Sequence, residues 1–217
     1  MNRNKRFEKL KYGKFLPVME SFYTIQGEGF FKGHAAYFIR TGGCNVGCHW
    51  CDVKESWNFK KHPLKDIQDL VKNAKKFCDI VVVTGGEPLM WNMDPLSKLI
   101  KKNNLKSHIE TSGSNQLTGS WDWICLSPKK KKSPTKEIYG KADELKIIIY
   151  EKEDLVYAEQ QAKKVSEKCI LYLQPEWSKR DKVIPIIVDY VLANRKWKVS
   201  LQTHKSVSYT HLTLPTI

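Results

Sequence analysis

Short runs of β-branched and aliphatic residues alternate with longer amphipathic stretches along most of this 217-residue chain, which confines it to an α/β architecture. Strands are expected near residues 35–40, 80–84, 106–111, 122–126, 143–150, 169–174 and 197–202. Helices are expected over Leu64–Phe77, Met93–Lys102, Glu153–Glu167 and Arg180–Asn194. Strand–helix–strand order of this kind builds a mostly parallel sheet. The Lys- and Pro-containing stretch 128–141 reads as a loop within the domain. At this length one domain with a real core is expected, over residues 1–205.

Chemistry enters just after the first of those strands. Gly42-Gly43-Cys44-Asn45-Val46-Gly47-Cys48-His49-Trp50-Cys51-Asp52 sets its cysteines at C-x3-C-x2-C spacing. A structural zinc site takes four protein ligands, and a ferredoxin-type cluster takes four thiolates. Three thiolates without an evident fourth leave one metal position open to something other than protein. The glycines allow tight turns and close backbone approach around such a group. Two other readings stand beside this one: a zinc site that borrows His49 or His34, and three cysteines that are simply buried. Further on, Ile80-Val81-Val82-Val83 reads as a buried strand, and Thr84-Gly85-Gly86-Glu87-Pro88 as the turn that ends it.

The cysteine spacing, with an aromatic Trp50 before the third cysteine and the Gly-Gly-Glu-Pro turn downstream, resembles the radical S-adenosylmethionine (SAM) superfamily. The resemblance narrows on Glu20–Gly29, Glu110-Thr111-Ser112-Gly113, Leu126-Ser127-Pro128-Lys129 and Leu201-Gln202-Thr203-His204-Lys205. In this order, from about Tyr12 to Lys205, these segments are similar to the 7-carboxy-7-deazaguanine synthase family. The resemblance implies a partial, incomplete TIM-barrel radical SAM fold, with a 4Fe-4S cluster and SAM as cofactors. It implies conversion of 6-carboxy-5,6,7,8-tetrahydropterin to 7-carboxy-7-deazaguanine with loss of ammonia, a lyase reaction in queuosine biosynthesis. In that family a 5′-deoxyadenosyl radical takes a hydrogen from C6 of the pterin, the ring contracts and the hydrogen returns, so SAM is regenerated.

The same resemblance assigns roles. Cys44, Cys48 and Cys51 would hold three irons. Trp50, Gly86, Glu87, Glu110, Ser112, Ser127, Pro128 and Lys129 would border SAM. Ile25, Gln26, Gly27, Glu28, Arg40, Thr84, Gln174, Gln202 and His204 would surround the pterin. Several of these suit their roles on chemical grounds. An amide such as Gln26 matches the mixed donor–acceptor edge of a pterin. The planar fork of Arg40 can grip a carboxylate with two bonds, although an arginine at a strand end can equally be snorkelling. Glu110 suits a ribose or an ammonium, and could also cap a turn. Lys129 opens a lysine run that on its own reads as solvated surface.

The chain departs from the family pattern in two places. Family members often carry Thr or Ser after Cys-Asp as a ligand to magnesium, the expected assisting ion, whereas Val53 here has no side-chain oxygen. Asp52 and water are the remaining oxygen sources. The second departure is residues 206–217, which contain no Lys, Arg, Asp or Glu and look like translated adapter read-through, atypical of the family. An added strand is the alternative for this tail.

Composition bounds the setting. No apolar run approaches membrane-span length, and the start lacks a signal-peptide core. Cys78, Cys125 and Cys169 read as reduced core thiols, so a cytoplasmic location is expected. The formal charge of +14 raises nucleic-acid binding. Its lysines fall mostly on helix faces without interleaved aromatics, which suits an anionic substrate or a reducing flavoprotein instead. A homodimer is expected from the resemblance. Two other functions remain: a radical SAM activase acting on a protein partner, and a basic RNA-binding protein with a structural metal.

Overall fold

The computed structural model describes residues 10–206, and its centre is one nine-stranded sheet in the order β3-β1-β2-β4-β5-β6-β7-β8-β9. The strands are β1 (Phe15–Ile25), β2 (Ala35–Thr41), β3 (Leu64–Asp66), β4 (Ile80–Gly85), β5 (Lys106–Thr111), β6 (Trp123–Leu126), β7 (Glu144–Ile149), β8 (Ile170–Pro175) and β9 (Trp197–Val199). From β2 through β9 every neighbouring pair is parallel, while β1 runs antiparallel to both β2 and β3. The two ends of the sheet, β3 and β9, do not pair among the described residues, so the barrel is open. This is the mostly parallel, incomplete barrel expected from the sequence.

The α-helices of the described chain are α1 (Ile67–Ala74), α2 (Asp94–Lys102), α3 (Lys136–Tyr139), α4 (Asp154–Ala162), α5 (Arg180–Ala193) and α6 (Thr203–Ser206). The period-two pattern of each strand explains the layering. In β7, Leu145, Ile147 and Ile149 point to the main core shared with the helices, while Lys146 and Ile148 face the barrel interior. In β2, Tyr37 and Ile39 join the same core, while Phe38 and Arg40 face inward. Helix α1 buries Ile67, Leu70, Val71 and Ala74, the i, i+3, i+4, i+7 stripe of a surface helix.

Several boundaries differ from the sequence reading. The helix expected from Leu64 starts at Ile67, because Leu64–Asp66 pairs with Phe15–Pro17 and the Asp66 side chain caps the helix by accepting from Gln68 N at 2.8 Å. The helix expected to run to Glu167 stops at Ala162, and a turn closed by Cys169 N donating to Ser166 O leads into β8. The last strand ends at Val199, not at residue 202. Stretch 128–141 carries the short helix α3. The tail from 207 onward lies outside the described residues.

Candidate active site

The interior of the open barrel holds a cavity of roughly 520 Å³. Its upper wall comes from the C-terminal ends of the parallel strands. The cysteine loop follows β2, Gly85 and Gly86 end β4, Glu110 to Ser112 end β5, and Ser127 and Lys129 follow β6. The lower wall comes from the β1–β2 connection, which enters at the N-terminal end of β2 and brings in Gln26, Gly27 and Glu28. Below that, Phe30 stacks on Trp123 (centroids 4.9 Å apart) and Phe31 packs on His108 (4.4 Å), so aromatic rings underlie the polar layer.

Cys44, Cys48 and Cys51 all line this cavity, half-buried and unpaired. The loop that carries them is tightly held. Gly43 N donates to Ser56 O at 2.6 Å, Glu87 N to Gly43 O at 2.7 Å and Lys131 Nζ to Gly47 O at 3.0 Å. Gly43 sits at φ +103°, and a β-carbon there would meet the Trp91 ring at 2.9 Å. Burial pushes the Cys48 thiol up, against the pull of the nearby Lys129 ammonium. Among the described residues no three His, Cys, Asp or Glu side chains converge on a single-ion site. His34, one of the alternative zinc ligands, lies before β2 and the cysteines after it, about 20 Å of strand away. His49 packs against Tyr150 at 5.3 Å.

Of the residues expected at SAM, Trp50, Gly86, Glu110, Ser112, Ser127 and Lys129 line the cavity. Lys129, expected from sequence alone to be solvated, turns inward. Its Nζ donates to Ser127 O at 2.7 Å and lies 5.5 Å from the Trp50 ring centre, and burial lowers its pKa. Pro128 does not reach the cavity wall. The Glu87 side chain is fully buried within the turn and does not line the cavity, which leaves its backbone for the SAM border that the resemblance implies. Its carboxylate accepts from Leu89 N, Thr111 Oγ1, Ser112 N and Ser112 Oγ. A carboxylate with this many internal donors holds the turn together and faces no ligand.

Every residue expected at the pterin lines the cavity: Ile25, Gln26, Gly27, Glu28, Arg40, Thr84, Gln174, Gln202 and His204. They form a connected polar network. Gln26 Nε2 donates to Glu110 Oε1 at 2.8 Å, and Gln202 Nε2 donates to Glu28 Oε1 at 2.9 Å. Arg40 Nε is held by Glu20 at 2.6 Å, which fixes its guanidinium along the wall. Burial lowers the His204 pKa, so its imidazole favours the neutral form.

Sequence reasoning missed Lys146, whose ammonium sits 2.5 Å from Glu28 Oε2 and 3.6 Å from Glu110 Oε2, nearly sealed from solvent. The signal was available in Glu144-Leu145-Lys146, two charges at period two in an apolar strand, which marks a polar interior face. It also missed how the C-terminal segment closes the site. Thr203 N and Oγ1 both donate to Gly27 O, at 3.1 and 2.8 Å, and Lys205 Nζ reaches Asp52 Oδ2 at 2.7 Å.

A β-carbon on Gly27 would come within 2.2 Å of His204 Nδ1. Gly27→Ala is therefore expected to raise the KM for a substrate of this cavity by about 10- to 100-fold through displaced His204, with about 1–3 kcal/mol of overpacking cost. Steady-state kinetics beside a thermal melt separate the two effects, and an unchanged KM would contradict this packing.

The chain matches the radical SAM superfamily model over residues 38–122, from β2 through the cysteine loop to the start of β6. It is 60% identical over 193 residues to the 7-carboxy-7-deazaguanine synthase of Flavobacterium psychrophilum, covering 89% of this chain and 92% of that protein. The protein of the same name from Synechocystis sp. is 47% identical over 190 residues, covering 87% and 91%. The crystal structure of QueE from Escherichia coli superposes with a TM-score of 0.79 at 27% identity, over 92% of this chain and 98% of that one. Identity at this level across almost the whole chain leaves one family: the protein belongs to the 7-carboxy-7-deazaguanine synthases, lyases of the radical SAM superfamily.

Proposed function

We propose that this chain, as a single domain, converts 6-carboxy-5,6,7,8-tetrahydropterin to 7-carboxy-7-deazaguanine with loss of ammonia, within queuosine biosynthesis. The observation that carries the proposal is one shared cavity. The wall that holds Cys44, Cys48 and Cys51 continues without a break into the polar network of Gln26, Glu28, Glu110, Arg40, Gln174 and His204.

The three free, half-buried cysteines fit a 4Fe-4S cluster with one iron left open for SAM. When bound, the cluster supplies the electron that cleaves SAM. The protein's own residues do the rest by binding and exclusion. Gly86 presents backbone without a side chain, since a β-carbon there would strike the Gly43 carbonyl, and Ser112, Ser127 and Lys129 surround the neighbouring space. Arg40 receives the substrate carboxylate, and Glu110, which the resemblance alone set beside SAM, meets the amino-substituted edge of the heterocycle with Gln26 and Glu28 bracing it. The Gln202–Lys205 segment covers the site and excludes water.

Magnesium fits less well. Val53 lines the cavity but offers no donor atom, and Asp52 Oδ2 is already engaged by Lys205. Omitting magnesium is expected to lower turnover by less than about 10-fold, and Val53→Thr to steepen that dependence. Complete loss of activity without the ion would show that substrate and water hold it here. A reducing flavoprotein as electron donor, a homodimer and a cytoplasmic location complete the reading. A low-potential cluster and free thiols need a reducing compartment, and no described helix is long and apolar enough to cross a membrane.

The test is anaerobic reconstitution with iron and sulfide, then product analysis with SAM, dithionite and the carboxytetrahydropterin. Formation of 7-carboxy-7-deazaguanine is expected. SAM cleavage without pterin turnover would overturn the substrate assignment and leave the radical chemistry standing.

A further inference from the structure

We propose that Lys146 is a positioning residue that sets substrate selectivity: its single buried ammonium holds Glu28 and reaches Glu110, so the pocket presents carboxylate acceptors only to a ring edge carrying adjacent N–H donors. The inference rests on the functional reading above and deepens it. The product named for this family is a guanine-type heterocycle, and the 2-amino-4-oxo edge of such a ring carries an N–H beside an exocyclic amine. Carboxylates complement two donors in a row, whereas a pocket of amides would accept either sense of the edge.

The geometry supports a division of labour. Both oxygens of Glu28 have protein partners: Oε2 takes Lys146 at 2.5 Å, Oε1 takes Gln202 Nε2 at 2.9 Å, and the Gln174 amide is a further donor. Its backbone is fixed as well, with Glu28 N donating to Gln26 Oε1 at 3.1 Å. Glu110 receives Gln26 at Oε1, but Oε2 has Lys146 only at 3.6 Å, and its side chain is the more exposed of the two. Glu110 Oε2 is thus the acceptor turned to the ligand, and Glu28 anchors the ammonium that holds the pair together. Lys146 itself is 5% exposed and points between them from the middle of β7, where it cannot swing away. It touches no reacting atom and acts through the carboxylates.

The charged and titratable groups facing this centre come from every adjoining element. They are Glu28 from the β1–β2 connection, Glu110 from β5, Cys125 from β6, Lys129 after β6, Glu144 from β7, Tyr172 from β8 and His204 from α6. Burial opposes charge on both partners. Cys125 and the carboxylates of Glu110, Glu28 and Glu144 more than offset that for Lys146 and hold its pKa well above the ordinary value. For Glu28, burial is outweighed by Lys146 and the amides of Gln202 and Gln174, which bring its carboxyl down to about 2. Without Lys146, burial would act on Glu28 with its main opposing charge gone, and the carboxyl would rise. As pH falls through the raised value, Glu28 takes up a proton, the network around Glu110 loses its acceptor character, and affinity for a donor edge falls. Affinity returns as pH rises.

The test uses the reconstituted holoenzyme with SAM, titrated with two unreactive probes, pterin-6-carboxylate and 6-carboxylumazine, which differ in the 2-amino or 2-oxo group and the N1 proton that accompanies the 2-oxo form. The unmodified enzyme should prefer the pterin acid by at least about 30-fold, with affinity steady from pH 5.5 to 7.5. Lys146→Met should reduce that preference to within about threefold and introduce a binding step in which affinity rises with pH. A folded Lys146→Met enzyme with wild-type preference and a flat profile overturns the proposal. Should that variant not fold, the unmodified enzyme still decides: equal affinity for both probes overturns it. If neither probe binds the unmodified enzyme, the proposal falls together with the functional reading on which it rests.

Discussion

Replacing any one of Cys44, Cys48 or Cys51 by alanine is expected to leave a folded protein that no longer assembles its cluster and no longer cleaves SAM. All three side chains line the cavity and none belongs to the packed core, so their loss removes little buried apolar contact. What disappears is a ligand, and the loss should exceed the roughly 100-fold that removal of an outer-shell partner costs at a metal site. Cys169→Ala is the comparison. That thiol is buried in the core, and burial pushes its pKa up to about 12, so it should melt earlier yet keep its full complement of iron and sulfide. Iron and sulfide analysis after anaerobic reconstitution, with SAM cleavage measured alongside, reads both. A Cys48→Ala protein with undiminished iron and SAM cleavage would sink the assignment of these three residues.

These cysteines were legible in the sequence because their spacing is local. A loop that wraps a cluster places its ligands within a few residues of one another, and glycines mark where the backbone must turn. The parallel sheet was legible for a similar reason, since Ile80–Val83 and Leu145–Ile149 are buried runs whose composition speaks for itself. Strand β1 was not. Pro17 and a register shift between Val18 and Glu20 break its alternation, so eleven residues that pair on both sides carry no clean period. Strand β3 is too short to signal at all, and its first residues read as the helix that follows it.

Among site residues, family motifs found the lining, but only the fold could say which way each side chain turns. Glu87 and Lys129 illustrate this, the one by the inward turn of its side chain away from the cavity, the other by reaching the cavity as the family motif implied where its lysine run alone read as surface. The acid in the Gly-Gly-Glu-Pro turn is an internal hub, while the first lysine of a surface-like run turns into the cavity. Period two in β7 marks Lys146 as an interior residue, but its partnership is not legible in the sequence, because the partners come from residues 28 and 110, far off along the chain. The same holds for the Gly27–Thr203 and Asp52–Lys205 contacts, which join the two ends of the described chain across the site.

The position of Glu87 leads to the second large effect. Glu87→Gln changes no volume and keeps one oxygen, yet it is expected to destabilise the protein by about 3 kcal/mol. Oε1 accepts from Leu89 N at 3.0 Å and Thr111 Oγ1 at 2.5 Å. Oε2 accepts from Ser112 N at 2.9 Å and from Ser112 Oγ. Whichever oxygen the amide replaces, an –NH2 then faces a backbone N–H, of Leu89 or of Ser112, in a place fully closed to water. A hydroxyl can rotate away from such a clash, but a backbone N–H cannot. For a chain of this size the loss corresponds to a melting temperature lower by roughly 6–12 °C. The damage should also reach the site, because Glu87 N holds the Gly43 carbonyl beside Cys44 and Ser112 lines the cavity. SAM affinity of the reconstituted variant should therefore fall by about 10-fold, as for other outer-shell partners of a metal centre. If Glu87 instead met SAM directly, the variant would lose SAM affinity while melting like the unmodified protein. A melt and a SAM titration on one preparation distinguish an internal brace from a ligand contact.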